Sequence, residues 1–504
     1  MKNVFRAAAA ATICILAAGC SKGDAFMDGG YYPESYPSAG PEADFEMPEE
    51  QPEEQPGGDK YNDYQDNPFI DAQVQNVSTF SVDADGASYA NMKRFISEGT
   101  LPYGGSVRIE EFLNYFTFDY ADPTDDNTVA INAEIGPCPW TPENRLMRLG
   151  IKGRSLSESE IPDANFVFLI DVSGSMNSTD KIDLLKAGLK TLVDNLRPTD
   201  RISIITYSGK VTKLLESTLA SDASTIKKAI GKLTASGSTA GGAALKMAYE
   251  EALANYIEGG NNRIIMGTDG DFNVGVSNTD DLVEMVQDYA KKGIYMTVCG
   301  FGRGNLNDSM MESISNNGNG TYEYIASEDD MTKVFVNERS EFFAVANDAK
   351  IQVTFDKTKV AKYRLIGYEN RILSQEDFEN DEKDAGEIGA GQTITALYEI
   401  VPAEAAAEGS WAVFDFRYKK SLSEASIPLT LDVTPAADFE TTTEFSFAAG
   451  VAAYGMILRE SPYKGTATFD MAHELVQGGT NFDPFGYRAD LLTIITKAKQ
   501  IAGK

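Results

Sequence analysis

The sequence is poor in the side chains on which most soft-metal and proton-transfer sites depend, with one histidine and four cysteines in 504 residues. Zinc favours nitrogen and sulfur ligands, so a zinc centre is not expected. The single histidine, His473, falls in a C-terminal stretch that reads as helical, where a surface or satisfied core role is expected ahead of general-base work. Positive charge is also scarce: 44 basic against 76 acidic residues leave a formal charge of -32. Such a chain repels nucleic-acid phosphates and anionic membrane surfaces, so no nucleic-acid partner is expected. The apolar stretch Ala7 to Ala18 is too short to cross a bilayer as a permanent helix. What is present suffices for a globular protein, because 42% apolar residues over this length can build two or three domains, each with a core.

Lys2 and Arg6 precede that apolar stretch, the order of a secretory signal. The stretch ends Leu16-Ala17-Ala18-Gly19-Cys20, which resembles the lipobox of bacterial lipoproteins. The resemblance implies that residues 1–20 are a lipoprotein signal peptide and that Cys20 carries the lipid, with palmitate among its acyl chains. The chain is then expected in the cell envelope, held to a membrane by its anchor, and Ser21 fits outer-membrane sorting by the same analogy. Cys14 leaves with the signal, so Cys138 and Cys299 are the thiols left in an oxidising compartment, and whether they pair is open. Cys299 closes the apolar run Ile294 to Cys299, which reads as a buried strand and favours an inert thiol.

From Ser21 to Pro68, 13 acidic residues stand against two lysines amid prolines and glycines, with no helical or strand period. Residues 21–76 are therefore expected to be a disordered acidic tether, with a flexible-coil reach of roughly 35 to 40 Å over its first 48 or so residues. Residues 77–160 read as an N-terminal flanking segment: a strand at Ser78 to Val82, helices over Ala87 to Ser97 and Val107 to Phe116, then strands Val129 to Ile135 and Arg145 to Ile151.

Over residues 161–345 the pattern changes. Apolar strands Phe166 to Ile170, Ile202 to Tyr207, Ile264 to Met266 and Ile294 to Cys299 alternate with helical faces such as Ile182, Leu185, Leu189 and Leu192. That order predicts a doubly wound α/β domain on a parallel sheet. Residues 346–440 revert to strands, Ile351 to Phe355, Tyr363 to Tyr368, Thr393 to Ile400, Trp411 to Tyr418 and Ile427 to Val433, and predict a β-sandwich-like domain. The strands at Val129 to Ile151 are expected to join it, making the α/β domain an insertion. Residues 441–504 read as helices, clearest at Ala448 to Leu458 and Arg488 to Ile501.

Chemistry concentrates at the end of the first parallel strand, where Asp171-Val172-Ser173-Gly174-Ser175 precedes a helix. In open parallel sheets, ligands bind outside the carboxyl ends of the strands. In an extended turn, side chains at i, i+2 and i+4 aim at one point, so Asp171, Ser173 and Ser175 are expected to converge. Two further oxygen donors occupy corresponding ends: Thr239, in the glycine-rich loop Gly237 to Gly242, and Asp269, in Thr268-Asp269-Gly270. These are hard ligands, suited to Mg²⁺, with Mn²⁺ or Ca²⁺ as alternatives.

The five positions resemble the metal-ion-dependent adhesion site of von Willebrand factor A domains. By that resemblance Ser173 and Ser175 would coordinate the metal directly, Thr239 directly or through water, and Asp171 and Asp269 largely through water or hydrogen bonds. The stretches Arg108-Ile109-Glu110-Glu111, Pro137-Cys138-Pro139-Trp140, Asn262-Arg263-Ile264-Ile265 and Leu365 to Arg371 are similar to the bacterial YfbK-type von Willebrand A lipoproteins. A cation held by few direct carboxylates keeps positive charge and an open position, which an Asp or Glu of a protein partner would fill. The expected function is metal-dependent protein binding, not catalysis, and no small-molecule substrate is expected. Two other readings stay open. One is a structural envelope protein whose metal rigidifies the loop. The other is a metal-dependent hydrolase, against which stands the lack of a histidine or lysine partner for Ser173 and Ser175 within the motif; Asp271, beside the site, is expected to support or cap the loop.

Overall fold

Strands Ala164–Asp171 and Asn261–Thr268 are buried along their whole length, as continuous apolar runs between helical layers demand. The computed structural model that shows this describes residues 53–54, 58–62, 64–237, 241–270, 279–381, 383, 385–404 and 408–503. The expected signal peptide, Cys20, the tether up to residue 52, Thr239 and Asp271 lie outside the described residues.

The two strands are central neighbours in a six-stranded sheet, ordered in space Tyr322–Ile325, Ile294–Phe301, Asn261–Thr268, Ala164–Asp171, Arg201–Tyr207 and Val211–Leu219. All neighbours run parallel except the last strand, which pairs antiparallel on the edge. The chain leaves Ala164–Asp171 toward one edge and later resumes on its other side at Asn261–Thr268. The direction of winding therefore reverses between those two strands, and the crevice at such a switch point is where doubly wound sheets bind ligands. Helices cover both faces: Leu184–Asn195 and Ala223–Gly231 share a core with one, Gly242–Ala254 and Asp308–Asn317 with the other.

The remaining strands form two antiparallel sheets. One is ordered Ile372–Leu373, Val77–Ser81, Ala344–Phe355, Ala412–Lys419 and Ile427–Val433, with Gly386–Gly389 also paired to Ala344–Phe355. The other is ordered Ile70–Asp71, Val360–Ile366, Thr393–Pro402, Arg145–Gly153 and Val129–Pro137. Phe80, Ile351, Phe355 and Phe414 from the first meet Met147, Leu149, Tyr363 and Tyr398 from the second in one core. The alternation along Ala412–Lys419 is that of a strand with one face inward. Strand Arg145–Gly153 thus lies in this sandwich before the parallel sheet begins, and Ala344–Phe355 returns to it afterwards. The α/β unit is an insertion, as its flanking strands suggest.

Helix Thr443–Leu458 is apolar on every side and almost wholly buried, which is how an all-round apolar helix avoids water. Thr442 caps its start by accepting the N–H of Phe445, and it begins five residues before the apolar run Ala448 to Leu458 that marks it in the sequence. Gly450 lets Val476 and Leu475 of helix Phe469–Gly478 approach, and Gly455 lets Ile109 approach. Helix Tyr487–Ile501 completes the C-terminal group. Among the described residues, no helix is long and apolar enough to cross a membrane.

One expectation needs correction. Ordered structure starts well before Val77: Asp59 and Tyr61 are buried, and Ile70–Asp71 pairs with Val360–Ile366. The acid-rich composition hides this because the acids there have partners. Asp59 accepts the N–H groups of Gly304 and Leu306 on one oxygen and pairs with Arg94 on the other. Cys138 and Cys299 are both buried free thiols. Burial pushes the Cys138 thiol up to about 12, and the Cys299 thiol is likewise raised, so neither is a ready nucleophile.

Candidate metal and ligand site

Four of the five sequence-nominated side chains come together at the switch point. Asp171 ends its strand with its carboxylate fully buried; one oxygen accepts the Ser173 N–H at 2.8 Å and the other the Thr268 hydroxyl at 3.3 Å. The Ser173 and Ser175 hydroxyls lie 2.9 Å apart, the first buried and the second exposed. Asp269 follows the adjacent strand and takes a hydrogen bond from Ser175. The chain is held in this shape by the backbone: Val172 donates to Tyr207, Gly174 to Gly237, and Ser236 to Val172. The glycine-rich loop is thereby laid against the Asp171 loop up to Gly237; Thr239 itself lies outside the described residues.

The two acids are shifted in opposite directions. Burial, reinforced by the nearby Asp269 charge, pushes the Asp171 carboxyl up to about 6 against the pull of its hydrogen bonds. Burial would also raise Asp269, but Asn305, Lys181 and Ser175 overcome it and hold that carboxyl below the usual range.

Lys181 is the residue that sequence reasoning missed. It sits in the Thr179–Asp183 turn that opens the following helix, only 6% exposed, with Nζ 3.0 Å from Asp269 Oδ2 and 2.8 Å from Asn305 Oδ1. A lysine in the first turn of a helix is opposed by the helix dipole, so its position was the available signal that a local anion holds it. Its stem runs so close to Gly302, at φ +76°, that a Cβ there would stand 2.0 Å from Lys181 Cε. The ammonium is directed to Asp269 and Asn305, so it serves a carboxylate and an amide. His473 lies on helix Phe469–Gly478 in the C-terminal group, apart from the elements that build this site.

The donors at the crevice are hard oxygens, the kind that a small octahedral cation takes. Adjacent ligands of such an ion, each at about 2.0 to 2.1 Å, stand about 2.9 Å apart. The hydroxyl oxygens of Ser173 and Ser175, hydrogen-bonded to each other in this structure, have that spacing. Asp171 and Asp269 lie beside them as carboxylates able to orient bound water, and the exposed Ser175 opens the site to solvent. The residues fit a hard divalent ion.

Family models agree with this architecture. The model described as von Willebrand factor type A domain matches residues 165–338, one described as von Willebrand factor matches 55–148, and "Uncharacterized protein YfbK, C-terminal" matches 340–501. The inserted unit is a von Willebrand factor type A domain, and domains of this type mediate protein–protein interaction. YfbK of Escherichia coli K12 is 36% identical over 471 residues, 88% of this chain and 81% of that protein, and the chain belongs to the YfbK family. Human inter-alpha-trypsin inhibitor heavy chain H4 is 30% identical over 221 residues, 42% of this chain and 23% of that one. Among solved structures, a von Willebrand factor type A protein from Catenulispora acidiphila aligns over 74% of this chain and 90% of its own, at 16% identity and a TM-score of 0.44.

Proposed function

We propose that the protein is a lipid-anchored, divalent-metal-dependent binding protein of the bacterial cell envelope. In this reading Ser173, Ser175 and Thr239 hold Mg²⁺ or a similar ion, Asp171 and Asp269 orient its water, and an Asp or Glu of a protein partner completes the coordination. The observation that carries it is the pair of hydroxyls at octahedral spacing on the switch-point crevice, flanked by two carboxylates. Neutral hydroxyls leave the ion's positive charge available to an incoming carboxylate. The strongly acidic chain as a whole repels polyanions, which favours one acidic anchor on an otherwise neutral or basic partner.

The test combines calorimetry with capture. The purified chain should take up Mg²⁺ or Mn²⁺ at one site, Ser173→Ala should weaken that uptake by about 10- to 100-fold or more, and envelope proteins recovered with the wild type should be lost on chelation and in the variant. Capture that is indifferent to chelator would sink the reading. Membrane anchoring rests on the Leu16 to Cys20 motif, and labelling of cells with radioactive palmitate should mark the wild type and not Cys20→Ser.

A second reading has its own support. The Lys181 ammonium already sits on Asp269, and backbone bonds already fix the Asp171 loop, so the site could stand as a charge-balanced structural feature. Absence of metal uptake with an intact fold would favour it.

A further inference from the structure

A second acidic centre lies away from the Asp171 loop, where the sandwich, the N-terminal helices and the inserted domain meet. Asp83 and Asp85 come from the link between strand Val77–Ser81 and helix Ala87–Ser97, and Glu111 from helix Ile109–Asn114. A carboxylate oxygen from each lies within 4.8 Å of the other two, and all three residues are at most 1% exposed. Asp308 and Glu312, on helix Asp308–Asn317 of the inserted domain, are buried beside them. Two guanidiniums face these five acids. Arg108 pairs with Glu111, Asp308 and Glu312, and Arg371 pairs with Asp83 and more distantly with Asp85. Five formal negative charges thus face two positive ones among buried acids.

The hydrogen-bond accounting points to what is missing. Asp83 accepts the Arg371 Nε at 2.9 Å and the Asp85 N–H at 3.0 Å. Glu111 accepts the Ser88 N–H at 2.7 Å and the Arg108 Nε. Asp85 spends one oxygen on the Tyr322 N–H at 2.8 Å, but its Oδ2 accepts no hydrogen bond, and Arg371 Nη2 stands 3.7 Å off. Glu312 Oε2 also accepts none. A cavity of about 30 Å³ adjoins the cluster on the Asp85 side, lined by Asp85, Arg371, Asn316 and Asn319 but not by Asp83 or Glu111. A buried carboxylate oxygen without a donor is costly unless a cation or a proton meets it.

We propose that Asp83, Asp85 and Glu111 form a structural divalent-cation site, distinct from the Asp171 site, that takes Ca²⁺ and ties the link after strand Val77–Ser81 to helix Ile109–Asn114. The ligands are oxygens only, which excludes soft metals. Calcium sits at about 2.3 to 2.6 Å from flexible carboxylates in irregular shells, so oxygens within 4.8 Å of one another can share one ion. Magnesium demands near-octahedral geometry, which buried carboxylates already tied to guanidiniums and backbone N–H groups suit poorly.

The experiment uses the full chain carrying Ser173→Ala and Asp269→Ala, which disable the first site and keep its metal out of the measurement. After chelation and dialysis against Ca²⁺, elemental analysis should find one Ca²⁺ per chain, and adding Ca²⁺ to the stripped protein should raise Tm by several degrees. Adding Asp85→Asn should remove both the ion and the Ca²⁺-dependent rise. Should that variant fail to fold, Glu111→Gln is read in the same way, and the parent's own response still decides. A parent that neither retains Ca²⁺ nor gains Tm with it overturns the proposal, as does an Asp85→Asn chain that keeps its ion. Asp85→Asn protein that is more stable at neutral pH, with no Ca²⁺ response in its parent, would assign the missing cation to a proton.

Discussion

The Asp171 site and the Asp83 centre use the same oxygen chemistry under opposite conditions. At the first, two hydroxyls and two carboxylates face a crevice that Ser175 opens to solvent, and a lysine balances one acid. At the second, five buried carboxylates crowd two arginines, Arg108 buried and Arg371 half-buried, where three parts of the fold meet. Hydroxyls at a rim leave a cation electrophilic and reachable, whereas clustered carboxylates in a dry interior neutralise a cation and tie down whatever bears them. The first arrangement suits capture and the second suits cohesion, and each can be perturbed without the other.

The largest separation should come from Arg108→Ala. Removing a guanidinium that is 2% exposed leaves Glu111, Asp308 and Glu312 facing one another, and the expected loss is about 3 to 5 kcal/mol of stability. Scanning calorimetry should show it as a lower Tm, and Mg²⁺ uptake by the folded fraction should be unchanged. Ser173→Ala should do the reverse: metal affinity falls by about 10- to 100-fold or more, a range that loss of an outer-shell partner alone can reach, with Tm in chelator almost unmoved. If both variants lower Tm alike, the division between capture and cohesion fails.

Lys181→Met probes the boundary between the two styles. It strips the ammonium from Asp269, so the metal-free protein should lose stability while a divalent ion gains a freer carboxylate. The Mg²⁺-induced rise in Tm should exceed that of the wild type; a smaller rise would mean that Lys181 supports the bound ion. The smallest effect is expected at Glu323, an acid belonging to neither site. Burial, aided by Glu338 and Asp330 and opposed by Lys333, pushes its carboxyl from 4.5 to about 7. The folded state therefore binds the extra proton, so the contribution is complete below about pH 4.5 and is lost as pH rises through about 7. Glu323→Gln should flatten that part of the Tm–pH curve, by about 1 to 3 kcal/mol at pH 8, the lower figure allowing for the partial exposure of the side chain. An unchanged curve would show that Glu323 is charged in the fold.

How much of this was legible depended on whether the signal was local. The parallel sheet announces itself in uninterrupted apolar runs, and the Asp171 loop in a five-residue spacing that fixes convergence. Insertion was readable from strands on both sides of the α/β segment. Lys181 was hidden because its neighbour Ile182 carries the helical core pattern and its own partner, Asp269, lies 88 residues away. Residues 58–76 were hidden because composition counts acids without seeing that Asp59 meets Arg94. The Asp83 centre was hidden more deeply: two acids before a helix look like ordinary capping residues, and nothing near them foretells Glu111 or Arg371.

The insertion has a mechanical consequence. The inserted domain hangs from two stems, one continuing strand Arg145–Gly153 and the other entering Ala344–Phe355, and these strands belong to opposite sheets. Each is flanked by bonded neighbours on both sides. Gly153 packs against Val345 and the Gly389 carbonyl, so the stems emerge side by side. A tug on the crevice is therefore divided between two ladders loaded in shear, and neither can be peeled one rung at a time from a free edge.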